Sequence, residues 1–375
     1  MSISINACFD GGNIHCLQCD SPEGIRLEIL PDAGHEFFQW FYFRLTAESG
    51  CEYTVYIENA GDSSYPKVWE NYRVVASSDR ENWYRIDTEY ENGKLIFKTR
   101  LTSDVIWFAY FTPYSMQRHH RLISRIATAH GVSLESIGTT IDGRSMDLLR
   151  IGNPQAPLKI WAIARQHPGE TMAEWWMEGY LSQLIDENNT ATRDLLTRAV
   201  FYVVPNMNPD GSVRGYLRTN AAGTNLNREW NSPSLLKSPE VYLVRQKMLE
   251  TGVDFSLDVH GDEALPYNFI AGTEGVASWS SERLQLQDKF KNSLQNLNPD
   301  FQTVVGYPIT GVGAANLGIC SNYVAETFLC PAMTLEMPFK DTVDRPDSQT
   351  GWSAQRSSAL GGSCIDAIYS VIEDL

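Results

Sequence analysis

Leu158-Lys159-Ile160-Trp161-Ala162-Ile163-Ala164 is an almost uninterrupted apolar run. A surface strand would alternate polar and apolar residues, so a run this apolar predicts a strand buried on both faces of a sheet. A helix candidate, Met172 to Ile185, follows, and the same alternation of strand and helix recurs downstream. Ala199-Val200-Phe201-Tyr202-Val203-Val204 reads as a second buried strand, and Ser238-Pro239-Glu240 opens a helix that Gly252 closes. Phe255-Ser256-Leu257-Asp258-Val259 is a third strand, Ala332-Met333-Thr334-Leu335 a fourth, and Ser353 to Leu375 a closing helix broken at Gly361-Gly362. Apolar strands between helices predict an α/β unit with a mixed, largely buried sheet. Sites in such sheets lie at the carboxyl ends of the strands.

Upstream the pattern is different. From the start to about Tyr114, short β-prone stretches follow one another, among them Gly24 to Leu30, Gln39 to Leu45, Glu52 to Ile57, Trp83 to Tyr90 and Lys94 to Lys98. Asn92-Gly93 between the last two is a hairpin signal. Strands with turn punctuation and no convincing helix predict an antiparallel β-sandwich. At Ser115 the period changes, with Ser115 capping a helix from Met116 to His130 whose apolar stripe is Leu122, Ile123, Ile126 and Ala127. The expected division is therefore an N-terminal β-sandwich domain, 1–114, and an α/β domain, 115–375.

Of 375 residues, 43% are hydrophobic and 20% charged, and 46 acidic against 30 basic side chains leave a formal charge of -16. That balance argues against nucleic acid or an anionic membrane as partner, since both demand a local excess of Lys and Arg. The N-terminal stretch has no basic segment followed by a long apolar one, and no run approaches a membrane span. Seven dispersed cysteines, an odd number, suit a reducing, cytoplasmic location. His15, Cys16 and Cys19 have knuckle-like spacing, but no second pair follows. Oligomeric state is not legible.

What stands at the strand ends carries the chemistry. After the first strand comes His167-Pro168-Gly169-Glu170, after the third His260-Gly261-Asp262, and within the fourth Glu336. Two imidazoles and one carboxylate form a catalytic zinc set with a position left open for water. Each residue also has a plainer reading: His167 as a loop histidine bonded to backbone, Glu170 as a first-turn glutamate complementing a helix dipole. Glu336 is either half of a buried ion pair or a carboxylate of raised pKa suited to general-base work. His119 and His120 read as surface or domain-junction groups.

In family order stand His167-Pro168-Gly169-Glu170, Asn206-Met207-Asn208-Pro209-Asp210-Gly211, Asn225-Leu226-Asn227-Arg228-Glu229-Trp230, Asp258-Val259-His260-Gly261 and Thr334-Leu335-Glu336. With these five motifs the chain resembles the zinc metallocarboxypeptidases, specifically the cytosolic carboxypeptidase branch and its bacterial relatives. Gln39-Trp40-Phe41-Tyr42-Phe43, Ser78 to Trp83 and Phe108 to Ser115 resemble the β-domain that this branch carries ahead of its catalytic domain. The resemblance implies a carboxypeptidase-like catalytic domain and one Zn²⁺ per chain, bound by His167, Glu170 and His260. It implies Glu336 as catalytic base, Arg218 as the group steadying the oxyanion, and Asn227 and Arg228 as the pair gripping a substrate's terminal carboxylate. The substrate would be a peptide or protein C-terminal tail.

Three positions depart from the family pattern. Asn225 stands where an Asp commonly supports a zinc-bound His, and Asp258, read as an ordinary strand residue facing the other side, is not taken as its replacement. Thr310 to Met333, which the resemblance implies supplies much of the terminal side-chain pocket, contains no Lys or Arg, so an uncharged or small last residue is expected rather than glutamate. A polyglutamate tail would also be repelled by the overall charge unless Arg218, Arg228 and Arg214 formed an opposing patch. The family's substrate-covering tyrosine has two candidates, Tyr307 and Tyr323, each readable as a packed aromatic. Two other functions fit the same zinc set or its remnant: an amidohydrolase removing an acyl group from a small amino acid, as aspartoacylase and desuccinylase do, and an inactive module that binds peptide tails.

Overall fold

The structure, a computed structural model, describes residues 2–375. Ten strands form first: β1 (Ser4–Asn6), β2 (His15–Gln18), β3 (Ile25–Glu28), β4 (Tyr42–Thr46), β5 (Glu52–Ile57), β6 (Val75–Ser77), β7 (Tyr84–Arg85), β8 (Thr88–Glu91), β9 (Lys94–Arg100) and β10 (Val105–Ala109). They make two five-stranded sheets, ordered β1-β4-β10-β6-β7 and β2-β3-β5-β9-β8 and antiparallel except for the pair β3–β5. Asn92 and Gly93, at φ 52° and 78°, turn β8 into β9 as the hairpin signal requires. The interior is aromatic, with Phe41, Phe43, Trp69, Tyr72, Phe97 and Tyr110 all buried.

Seven more strands build a third sheet: β11 (Val132–Thr139), β12 (Ser145–Gly152), β13 (Leu158–Ala164), β14 (Ala199–Val204), β15 (Phe255–Asp262), β16 (Phe269–Ala271) and β17 (Ala332–Pro338). Their order is β11-β12-β14-β13-β15-β17-β16; the central four are parallel and the outer strands antiparallel. The apolar run that suggested the sheet is β13, at its centre. Ile160, Ala162 and Ala164 face one buried cluster with α2 (Met172–Leu184) and α8 (Ala354–Val371), while Trp161 and Ile163 face another with α5 (Pro239–Thr251) and α7 (Cys320–Phe328). Burial on both faces is what removes the polar alternation from these strands. After β13 the chain crosses first to β14 on one side and later to β15 on the other, so the strand order reverses at β13 and opens a crevice there.

Four expectations are corrected. The helix α1 (Met116–Ala127) stops three residues short of His130. The third strand runs on to Asp262, so His260 lies on β15 rather than after it. The closing helix α8 is not broken at Gly361-Gly362. A Cβ on Gly361 would lie 2.0 Å from the Trp176 carbonyl oxygen, and one on Gly179 would lie 1.8 Å from that of Ser358, so these glycines permit the close approach of α2 and α8. Finally, His119 is buried, with Nδ1 2.6 Å from Glu174 Oε1 and Nε2 3.7 Å from Asp147 Oδ2. Burial opposes its charge, but Glu174 and Asp147 outweigh that and push it up to about 9. His119 thus stands as the cationic partner of Glu174, which excludes the surface alternative of its expected role, surface or domain junction.

The seven cysteines are free thiols, and no helix among the described residues is long and apolar enough to cross a membrane.

An exposed Gly→Ala in a helix gains about 0.5–1 kcal/mol, whereas forcing an atom into a packed interface costs about 1–3 kcal/mol. With backbone 2.0 Å away the second effect wins, so Gly361→Ala is expected to lower the denaturant midpoint. An unchanged or raised midpoint would show that α2 and α8 separate freely.

Candidate active site

The loop leaving β13 is bent by Arg165, whose φ of 58° is left-handed and costly for a residue with a Cβ. Its guanidinium holds the bend: Nη1 donates to Glu174 Oε2 at 2.6 Å and to the Tyr114 carbonyl at 2.9 Å, and Nε donates to the Pro168 carbonyl at 3.0 Å. Gln166 then bridges to the neighbouring elements, its Nε2 donating to Asp258 Oδ2 at 2.7 Å and its Oε1 accepting from Trp230 Nε1 at 2.8 Å. The loop so fixed turns His167 and Glu170 toward His260.

Three groups converge. His167 Nδ1 lies 2.7 Å from Glu170 Oε1, His260 Nδ1 lies 2.8 Å from Glu170 Oε2, and the two Nδ1 atoms are 3.2 Å apart. All three side chains are buried and offer ligand atoms within 4.8 Å of one another.

The opposite ring nitrogens fix which atoms of the two imidazoles face the carboxylate. His167 Nε2 faces Asn225 Oδ1 at 3.1 Å, and the Asn227 backbone N–H donates to the same atom, which identifies it as the oxygen. His260 Nε2 faces Asp258 Oδ2 at 3.0 Å. Each Nε2 therefore donates, so that in the neutral form of either ring Nδ1 presents a lone pair to a carboxylate oxygen. Lone pairs opposed at these distances repel unless a proton or a metal cation lies between them. Burial, and then Arg218, draw His167 down to about 4, which keeps the ring neutral. Burial works against charge on Glu170, yet the two imidazoles hold its carboxyl below the usual range. Burial likewise disfavours a positive charge at His260, but Asp258 and Glu170 overcome it and raise its pKa well above the ordinary value. His167 is thus held neutral, whereas His260 carries a proton that a bound metal would displace; with the ionised Glu170 and outer partners that orient both rings, the set fits a zinc ion.

The reading of Asp258 as facing the other side is overturned. Residues two apart on a strand share a face, and that period puts Asp258 beneath His260. Asn225, despite losing the charge of an Asp, reaches His167 with the one atom needed.

Glu336 stands in register with His260 across the β15–β17 pair. Its Oε1 accepts from Tyr307 Oη at 3.3 Å, while the buried Oε2 has no partner. Burial raises its pKa well above the carboxylate range, and Glu170, Asp262 and Glu263 add to the effect against His260.

These groups line a cavity of about 570 Å³, whose wall also includes Arg218, Asn227 and Arg228. All seven candidate residues are thus brought together. Asn227 Oδ1 accepts from the Cys320 N–H at 2.8 Å, and its Nδ2 lies 3.3 Å from His260 Nε2. Arg228 Nη1 donates to the Asn227 carbonyl at 2.6 Å. Of the two tyrosine candidates, Tyr307 lines the cavity, 46% exposed, with its hydroxyl on Asp262. Tyr323 is buried 6.2 Å from the Trp230 ring, with the Arg245 guanidinium over it. Arg214 pairs with Asp142 at 2.9 Å and takes no part in the wall.

Three wall residues stand outside the sequence motifs. Tyr65 comes from the N-terminal sheets, Glu263 follows β15 with an unpartnered buried Oε1, and Lys291 comes from α6 (Ser281–Leu297). Only Glu263, adjacent to a singled-out motif, had any signal in the sequence.

Comparison with known proteins concerns the whole chain. Residues 5–111 match the cytosolic carboxypeptidase N-terminal domain, and residues 120–344 match the zinc carboxypeptidase family. A metallo-carboxypeptidase from Pseudomonas aeruginosa, in complex with (2-guanidinoethylmercapto)succinic acid, superposes with a TM-score of 0.97 at 43% identity, covering 99% of each chain. An uncharacterised Zymomonas mobilis protein is 48% identical over 375 residues, covering 100% of this chain and 98% of its own. Mouse cytosolic carboxypeptidase 6 is 27% identical over 331 residues, 80% of this chain and 60% of the mouse protein.

Asp258→Asn keeps the shape of the side chain but removes the charge that orients His260. Metal affinity, measured by competition with a chelator, is expected to fall about 10- to 100-fold while the fold is retained. Unchanged affinity would mean that Asp258 does not support the ring.

Proposed function

The chain belongs to the zinc carboxypeptidase family and is a metallocarboxypeptidase, and from that premise we propose that it hydrolyses the C-terminal amino acid from peptide or protein tails, using Glu336 as general base. One observation carries the reading: a buried, unpartnered carboxylate oxygen on β17 stands beside a three-donor set that calls for a cation, in a cavity also lined by two arginines.

We assign His167, Glu170 and His260 as ligands of one zinc ion. When bound, zinc supplies Lewis-acid polarisation of a carbonyl and lowers the pKa of a water. Glu336 Oε2 accepts a proton from the attacking water and returns it to the amine that leaves. Buried as it is, its ionised form is a stronger base than a solvated carboxylate, and the charge of a bound zinc would favour that ionised form. Arg218 meets the negative charge that develops on the carbonyl oxygen. Arg228, with Asn227 beside it, receives the terminal carboxylate; a guanidinium does this with two parallel hydrogen bonds, which restricts cleavage to the last residue. Residues 1–114 and 115–375 are taken as two domains, the second catalytic.

For the residue removed, we favour an uncharged side chain. From Thr310 to Met333 the wall is contributed by Thr310, Ala315, Ile319, Ser321 and Asn322. The cavity as a whole carries three cations, Arg218, Arg228 and Lys291, against five carboxylates, Glu170, Asp262, Glu263, Glu274 and Glu336. Two of the cations are already engaged with the reacting carbonyl and the terminal carboxylate, so an anionic side chain finds only Lys291.

A peptide series differing in its last residue, read by mass spectrometry, is expected to show single-residue loss that favours neutral termini and stops with a chelator. Glu336→Gln should lower kcat by about 10²–10⁴-fold, the usual worth of a positioned general base, with zinc content unchanged. Peptides amidated at the C-terminus should resist cleavage. Equal cleavage of amidated and free peptides would remove the role given to Arg228.

A further inference from the structure

The loop that carries Arg218 is held from the other side of the molecule. Asp32, between β3 and β4 and 2% exposed, directs both carboxylate oxygens at it. Its Oδ1 accepts the Leu217 N–H at 2.7 Å; its Oδ2 accepts the Arg218 N–H at 2.8 Å, the Thr219 N–H at 2.8 Å and the Thr219 hydroxyl at 3.1 Å. One buried carboxylate thus fixes three successive peptide groups about 185 residues away. Charge-assisted bonds of this kind are about twice as strong as neutral ones.

The surrounding contacts have the same direction. Phe37 and Tyr65 place their rings 5.7 and 6.0 Å from the Arg218 guanidinium carbon. Gly223, at φ 75°, fits so tightly on the Asp32 loop that a Cβ there would meet the Ala33 carbonyl oxygen at 2.6 Å. On the far side, the Leu217 carbonyl accepts the Gly169 N–H at 2.9 Å, within the loop bearing His167 and Glu170. Arg218 therefore leaves a backbone whose orientation is set by the N-terminal sheets, and its guanidinium lies against two of their aromatic rings.

We propose that Asp32 is a positioning residue for catalysis: it orients Arg218 toward the oxyanion and makes the N-terminal sheets part of the active site. The proposal rests on the oxyanion role given to Arg218 above. An arginine that stabilises developing charge is useful only when its direction is set before the reaction, because reorganisation during the reaction erodes the gain. The Asp32 clamp supplies that direction without touching substrate.

The test is a double-mutant cycle on the zinc-loaded full chain. Arg218→Met alone should lower kcat by about 10²–10³-fold, the typical loss of one oxyanion donor. Asp32→Asn, of the same shape, should lower kcat about tenfold or more with KM within about twofold and zinc content unchanged. In the Arg218→Met background, Asp32→Asn should have no further effect on kcat, since coupled residues are not additive. Phe37→Leu, which leaves the clamp intact and removes one ring, should act in the same direction to a smaller extent, and it keeps the test decisive if Asp32→Asn unfolds. If Arg218→Met lowers kcat but Asp32→Asn and Phe37→Leu are silent or additive with it, or act only through lost zinc, the positioning role is overturned while the reading of Arg218 stands. If Arg218→Met leaves kcat unchanged, the oxyanion reading falls and the Asp32 proposal falls with it.

Discussion

Two imidazoles and a carboxylate, brought within about 3 Å of one another in a buried pocket, are the constraint that the rest of the chain serves. Left to itself such a cluster has given up water and is held together only by a proton on His260, the place that a metal cation takes when it binds. The surrounding structure over-determines it. The strained φ of Arg165 is held by three hydrogen bonds, Gln166 ties the same loop to Asp258 and Trp230, and Asn225 and Asp258 lock the tautomers from outside. Even His119, distant from the pocket, belongs to this support, since it and Asn206 share with Arg165 the carboxylate of Glu174. A fold that commits this many buried polar groups to one point is organised around a cation.

Much of this was legible in residue order, for reasons that can be stated element by element. β13, β14, β15 and β17 were readable because burial on both faces leaves them almost wholly apolar. Strand ends are where such a sheet carries its site, so His167, Glu170 and His260 could be grouped although 93 residues separate the first from the last. By contrast β11 is an edge strand, largely exposed and polar, and gives no periodic signal. Gly361 reads locally as a breaker; only the Trp176 backbone across the helix pair shows that its missing side chain is a packing requirement. Asp258 was within reach through the strand period of two. Asp32 and Tyr65 were not, because nothing in a sequence records which loop of one sheet system will cross to the mouth of another.

The crossing of those two systems also explains why the N-terminal sheets do not form a detachable appendage. Tyr110 stacks on Phe339 at 4.5 Å, and Arg85, buried, donates to the Phe339 carbonyl at 2.6 Å and to that of Trp352 at 3.4 Å. Asn13 Nδ2 donates to the Gly215 carbonyl at 2.8 Å, beside the Arg218 loop. Buried charge-assisted and backbone bonds of this kind are specific in direction, so they set the orientation of the sheets relative to the cavity as well as their attachment.

Charge, finally, has to be weighed at the right distance. A formal charge of -16 suggests repulsion of any acidic tail, but at physiological ionic strength exposed charges are screened over about 8 Å. What a bound terminal residue feels is therefore the cavity lining. Arg214, which lay in the right part of the sequence to offset the overall field, is spent on Asp142 outside the wall. Lys291 enters the wall from α6 instead, with Asp288 3.8 Å away. Two arginines are sufficient to bind one carboxylate and one developing oxyanion, Glu170 would offset part of the charge of a bound zinc, and the remaining lining offers a second anionic group only Lys291. Discrimination against an acidic last residue thus follows from the short-range arrangement of the pocket, and would persist at salt concentrations that abolish the effect of the protein's overall charge.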